Sequence, residues 1–166
     1  NVVEEVYKVN EAMTYIDWVK KMSDVFTASK FVSPMLYDIK DHLANGNRRV
    51  FVYEITHQSG LIGVPSFGDW KPVIHSSELP YINPFPELWL PALNNGLATP
   101  RDMEILNWMS DSWTTFAKTG HPTPDWYPAP SRILPVPYLE ISRTGNFMRP
   151  SYRLRVSQEA TEVREE

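Results

Sequence analysis

The sequence predicts an α/β fold, and three observations carry that reading. Residues 49–56 form a near-continuous apolar run in which five of the central six residues are β-branched or aromatic, Glu54 being the only charge among those six. Such a run suits a strand covered by helices on both faces. Long segments on either side place apolar residues three and four apart, the spacing of one helix face. A second, shorter strand pattern follows at Tyr138-Leu-Glu-Ile-Ser142.

Taken in order, residues 1–22 predict an amphipathic helix through Val2, Val6, Val9, Met13, Ile16 and Val19. A second helical pattern starts at Ser23 or Asp24 and runs through Phe31, Met35, Leu36, Ile39 and Leu43 to Asn45-Gly46, where glycine accepts the left-handed turn that ends a helix. Pro34 lies inside it. Either Ser33 caps a new helix with Pro34 at its first position, or the helix kinks there. After the strand, residues 57–98 hold so many glycines and prolines that little regular structure is expected. A stretch of that length is expected to shape a site or to link.

Thr99-Pro100-Arg-Asp102 opens the strongest helix signal. Thr99 offers a capping oxygen, Pro100 suits the first position, and Asp102 faces the positive end of the helix. Ile105, Met109, Trp113 and Phe116 form its apolar face, with its tryptophans in the core, and Gly120 with Pro122 ends it. The segment Pro122–Pro137 is proline-rich, and the tail from Ser157 is charged and expected to fray.

Composition narrows the partners. A net charge of −4 with both signs interspersed gives no attraction for nucleic acid or an anionic membrane. No apolar stretch approaches the roughly 20 residues that span a bilayer. With no cysteine, the segment has neither disulfides nor thiol chemistry. Fifteen prolines in 166 residues are about twice average usage and predict a loop-rich second half. The chain opens on Asn1 and a charged segment without a signal pattern, so its natural start is expected upstream.

The most informative run is Trp70-Lys-Pro-Val-Ile-His75-Ser-Ser-Glu78-Leu-Pro-Tyr81-Ile82, a histidine in a loop with a carboxylate three residues on. It resembles the catalytic-histidine region of the type B carboxylesterase and cholinesterase family, which reads W-x-G-V-x-H-x-x-E-L-x-Y-L-F. A second stretch follows in order: Trp113-Thr-Thr-Phe116-Ala-Lys-Thr-Gly120-His-Pro122 is similar to the family's W-x-x-F-A-x-T-G-x-P. The resemblance spans about residues 23–142. It implies the C-terminal segment of an α/β-hydrolase fold, with helices packed on the last strands of a mostly parallel sheet. Residues 1–166 would then be the C-terminal part of a single domain, ending in a charged tail at about 157–166. Two departures predict a reshaped histidine loop: Pro72 replaces the family's glycine, and Asn83-Pro84 replaces its Phe-Gly.

Ester hydrolysis by this route needs a serine, a histidine that takes its proton, a carboxylate that orients the histidine, and donors for the oxyanion. The resemblance places the general base at His75. The serine elbow, the acid and the oxyanion glycines are expected upstream, since no Gly-x-Ser-x-Gly occurs here and Ser59 and Ser66 are plain loop serines. Glu78 matches the family's buried glutamate, and a structural role is preferred for it over that of the triad acid. Trp70 belongs to the structural surroundings of the site, and Phe67 and Trp89 are candidate pocket walls. His42, His57 and His121 show no metal-ligand spacing and are read as solvated.

The expected function is a serine carboxylic ester hydrolase acting on a small-molecule ester, with no metal and no organic cofactor. The alternative is an inactive cell-adhesion relative similar to neuroligins, with a protein partner, or a truncated fragment. Family resemblance implies an extracellular or endoplasmic-reticulum location.

Overall fold

Thr14 and Asp17 start the first helix of the computed structural model, α1 (Tyr15–Thr27), by a capping box. The Thr14 hydroxyl accepts from the Asp17 N–H, and the Asp17 carboxylate accepts from the Thr14 N–H at 3.0 Å. The structure describes residues 12–130 and 136–152; the helical pattern of residues 1–11 and the charged tail from Ser157 lie outside the described residues. The described residues fall into two compact units, one built mainly from residues 12–50, the other from residues 51–129 and 137–150.

In the first unit the helix does not restart near Ser23, as its spacing predicts. It continues through a π-helical turn (Ala28–Val32) into α2 (Ser33–Ala44). Pro34 gives the reason. It has no N–H to donate and its ring crowds the turn before it. The wider winding, with the Ser33 N–H donating to the Ala28 carbonyl, accommodates both without ending the helix. Ser33 itself is helical at φ −61°, ψ −52°, so it is not a cap. Gly46, at φ +82°, takes the left-handed turn expected after α2. Ala28, Val32 and Ile39 are buried, whereas α1 buries no residue and exposes Tyr15, Trp18, Met22 and Phe26 at helical spacing.

In the second unit, β1 (Tyr53–Ile55) pairs in parallel with β2 (Tyr138–Ile141), and β2 pairs antiparallel with β3 (Asn146–Arg149). Tyr53 stands beside Leu139 and Ile55 beside Ile141. The sheet among the described residues is therefore mixed, with one parallel and one antiparallel pair, so the mostly parallel character expected of the whole sheet is not seen in these three strands. The third strand escapes notice because Asn-Phe-Met-Arg contains no β-branched residue. A tight turn supplies what propensity does not, with Ser142 donating from both its N–H and its hydroxyl to the Gly145 carbonyl at 2.9 Å. Across the pair, Arg149 meets Glu140 at 2.6 Å. The strand at 49–56 is shorter than its composition predicts, though ladder bonds at Val52, Thr56 and His57 extend its pairing with β2.

Two helices occupy the stretch expected to be irregular: α3 (Leu79–Ile82) and α4 (Pro86–Asn94). Pro80 and Pro86 sit in the first turn of each, where a missing N–H costs nothing, so proline starts these helices instead of breaking them. Then α5 (Pro100–Thr119) begins at a Thr99–Asp102 capping box and stops at Gly120 with φ +76°, as its sequence predicts. Ile105 and Met109 from α5 meet Leu61, Tyr81, Trp89, Leu139 and Ile141 in the core. Trp126 stacks at 5.7 Å from both Trp108 and Trp113, and its indole N–H donates to the Val52 carbonyl at 3.1 Å.

One close approach ties the loop after β1 to the end of α4. A Cβ on Gly60 would collide with the Leu97 carbonyl, backbone against backbone. Gly60→Ala is therefore expected to destabilise by about 1–3 kcal/mol through enforced separation of the two segments. A thermal midpoint equal to that of the unaltered protein would show that this approach is not tight.

Candidate functional site

Asp102 is the third residue of α5 and precedes Ile105 by three, which puts it on the apolar stripe of its helix. It is fully buried. A buried carboxylate is tolerable only when its lone pairs are satisfied, and here five donors meet it. Oδ1 accepts from the His57 Nε2–H at 3.0 Å, the Ser59 hydroxyl at 2.6 Å and the Tyr81 hydroxyl at 2.6 Å. Oδ2 accepts from the Thr99 N–H at 2.7 Å and the Thr99 hydroxyl at 2.5 Å. Burial by itself works to raise the carboxyl's pKa. The hydrogen bonds from His57, Ser59, Thr99 and Tyr81 outweigh it and hold the carboxyl far below the usual carboxylate range. Tyr81 shifts the other way: burial, reinforced by the bond to Asp102, keeps its phenol neutral well above the usual range.

His57 is 5% exposed, which corrects its reading as a solvated residue. The ladder bond from its own N–H to Ile141 fixes the backbone at the end of β1, and the side chain turns its Nε2 to Asp102. Its Nδ1 is buried without a partner. A cavity lined by His57, Gln58, Ser59, Lys71, Val73 and Ser77 adjoins it, with room for about one water molecule. A histidine oriented by a carboxylate supplies two of the three members of a hydrolytic triad. Both serines beside this one are committed elsewhere, Ser59 to Asp102 at 2.6 Å and Ser77 to the Ile74 carbonyl at 2.5 Å. Neither of these two hydroxyls is left for His57 to activate.

His75 stands in a different setting. It is exposed on a turn that leads into α3. Ser76, directly after it, holds φ +66°, a left-handed conformation that costs a non-glycine residue of order 1–3 kcal/mol. The turn is closed by the Ser77 N–H donating to Ile74 and the Leu79 N–H to Ser76, both at 3.2 Å. Upstream, Phe67 and Trp70 exchange two backbone hydrogen bonds around Gly68-Asp69, with their rings 5.8 Å apart. Glu78 caps α3 by its backbone alone. Its charge, added to the larger effect of burial, pushes the Tyr53 phenol up to about 12. Trp89 is 6% exposed, packs edge-on against Tyr81 at 6.0 Å, and donates its indole N–H to the Pro80 carbonyl at 2.9 Å.

Residues 1–162 match the family model described as the carboxylesterase family. The chain belongs to the carboxylesterase family. No curated protein matches it. The match covers both stretches that carry the sequence resemblance, around His75 and around Trp113. Within the carboxylesterase framework, the described residues bring together His57, Ser59, Tyr81, Thr99 and Asp102, and they set His75 on the turn six residues before Tyr81. They contain no group of three or more His, Cys, Asp or Glu side chains suited to a metal ion. No described helix is long and apolar enough to cross a membrane.

Sequence reasoning missed the network, yet one signal for it was present. Asp102 lies three residues before Ile105 and seven before Met109, so it shares their face, and a carboxylate on a core-facing stripe must have buried partners. Which partners was not readable. They lie 45, 43 and 21 residues away in sequence.

Proposed function

We propose that this chain is the histidine-bearing C-terminal part of a serine carboxylic ester hydrolase, with His75 as its general base. The nucleophilic serine, the triad acid and the oxyanion donors come from sequence preceding Asn1. His75 takes the proton from the serine hydroxyl as the oxygen bonds to the ester carbonyl carbon, and returns it to the departing alkoxide. Water then repeats the exchange on the acyl-serine, His75 accepting its proton and passing it back to the serine. The reaction needs no metal or organic cofactor, and the proposed location is extracellular or in the endoplasmic reticulum, a reading that the family resemblance supports.

The observation that carries this reading is the match of residues 70–82 to the family's histidine region, within a chain that belongs to that family over residues 1–162. The exposure of His75 supports it, since a base must reach a substrate held by other residues. His57 is a poorer base, being buried with neighbouring hydroxyls already engaged.

The 166-residue chain by itself is expected to be inactive. Its sequence contains no Gly-x-Ser-x-Gly, and Leu90 at 58% and Leu97 at 52% are among the apolar side chains it leaves exposed. Turnover of an aryl ester by the purified chain would overturn this. For the full-length protein, the test is labelling by a fluorophosphonate probe, which reports an activated serine. Absence of labelling in the folded protein would favour the adhesion-type alternative.

A further inference from the structure

Resting on the assignment of His75 as the base, we infer that Asp102 and Tyr81 are positioning residues for it, holding the His75 turn through the buried hydroxyl–carboxylate bond. Several links run in series. Tyr81 is 1% exposed and its hydroxyl meets Asp102 Oδ1 at 2.6 Å. One residue earlier, the Pro80 carbonyl accepts from the Trp89 indole at 2.9 Å, so α3 is pinned at two adjacent residues. From there the backbone is bonded without a gap back to the histidine: Ile82 and Tyr81 N–H to Glu78, Leu79 N–H to Ser76, and Ser77 N–H to Ile74. His75 therefore rides on a short turn whose far end is fixed to the core.

The turn also holds a conformation it would not keep unaided. Ser76 at φ +66° lies beside His75, and a left-handed serine relaxes unless its surroundings over-determine it. The Asp102 end of the chain of contacts is correspondingly rigid. His57 and Ser59 hold the same oxygen from the loop after β1, Thr99 holds the other, and the neighbouring Arg101 donates to Ser142 at 2.9 Å and to Asn146 at 2.5 Å, joining α5 to the β2–β3 turn. A carboxylate accepting from three segments suits this task, since a single side chain registers all three at once. Tyr81 remains a donor throughout the pH range of ester hydrolysis, because burial keeps its phenol protonated.

The experiment uses the full-length protein that carries this segment, assayed with p-nitrophenyl butyrate well below its thermal midpoint. Tyr81→Phe removes one oxygen and leaves the ring that fills the core. It is expected to lower kcat about 10- to 100-fold with KM within about twofold, and to slow fluorophosphonate labelling by the same factor as kcat. Asp102→Asn should show the same split, and the double variant should fall no further than the worse single one, since both break one chain of contacts. A lowered thermal midpoint with kcat unchanged would mean a merely structural role and would overturn the inference; so would losses that multiply in the double variant. Should Asp102→Asn fail to fold, Tyr81→Phe decides alone. His75→Ala separates the two readings: activity retained there sinks the assignment of the base, whereas activity lost there but unaffected by Tyr81→Phe sinks only the positioning role.

Discussion

Replacing His75 by Ala in the full-length protein is expected to lower ester turnover on the order of 10⁴- to 10⁶-fold while leaving the thermal midpoint nearly unchanged. The size of the first effect follows from the role. Without a base the serine hydroxyl must lose its proton unaided, and removing one member of such a unit costs about as much as removing all of it. The second effect follows from placement, because His75 is exposed on a turn and contributes little buried area. Measuring kcat and the midpoint on the same preparation checks both. A midpoint that falls with the rate would make His75 a structural residue, and a rate that survives would move the base elsewhere, with His57 the next residue to substitute. The proposed mechanism thus rests on a residue whose loss is catalytically severe and structurally mild, a combination that a buried histidine such as His57 cannot give.

Local chemistry was legible where one segment decides its own structure. The α5 helix begins at Thr99 and ends at Gly120 because a capping oxygen, a first-turn proline and a left-handed glycine all lie within that segment. The parts that failed depend on what lies across the fold. Proline was read as a breaker throughout residues 57–98, yet Pro80 and Pro86 occupy first turns where their missing N–H is harmless, and α3 and α4 form. The β3 strand has little propensity of its own and is held by the turn at Ser142–Gly145 and the Arg149–Glu140 pair. His57 was read as solvated because nothing near it in sequence satisfies it; its partner comes from a helix 45 residues on. The histidine loop was legible as a motif, but its anchorage at Tyr81 was not, since a tyrosine declares its hydroxyl partner only when the chain is folded.

Asp102→Asn gives the second large effect, and acid amplifies its diagnostic value. At pH 7 the variant is expected to lose on the order of 3 kcal/mol, because the amide has one acceptor where the carboxylate has two, and its NH₂ faces either the three donors at Oδ1 or the Thr99 N–H and hydroxyl. The carboxyl is held far below its usual range in the folded protein, whereas in the unfolded chain it titrates near the ordinary value of about 3.9. Between those two values the unfolded state binds the extra proton, so stability rises with pH. The contribution of Asp102 is complete above about pH 5 and drains away as pH falls towards the folded value. His57 and Tyr81 face the carboxylate directly, with Arg101 beside it on α5. In urea titrations from pH 7 down to about pH 2.5, the gap between the unaltered protein and Asp102→Asn should therefore be widest near neutrality and close on acidification. Curves that stay parallel would show that the native carboxyl is not held low, and would remove the strongest reason for treating this side chain as the fixed point of the histidine loop.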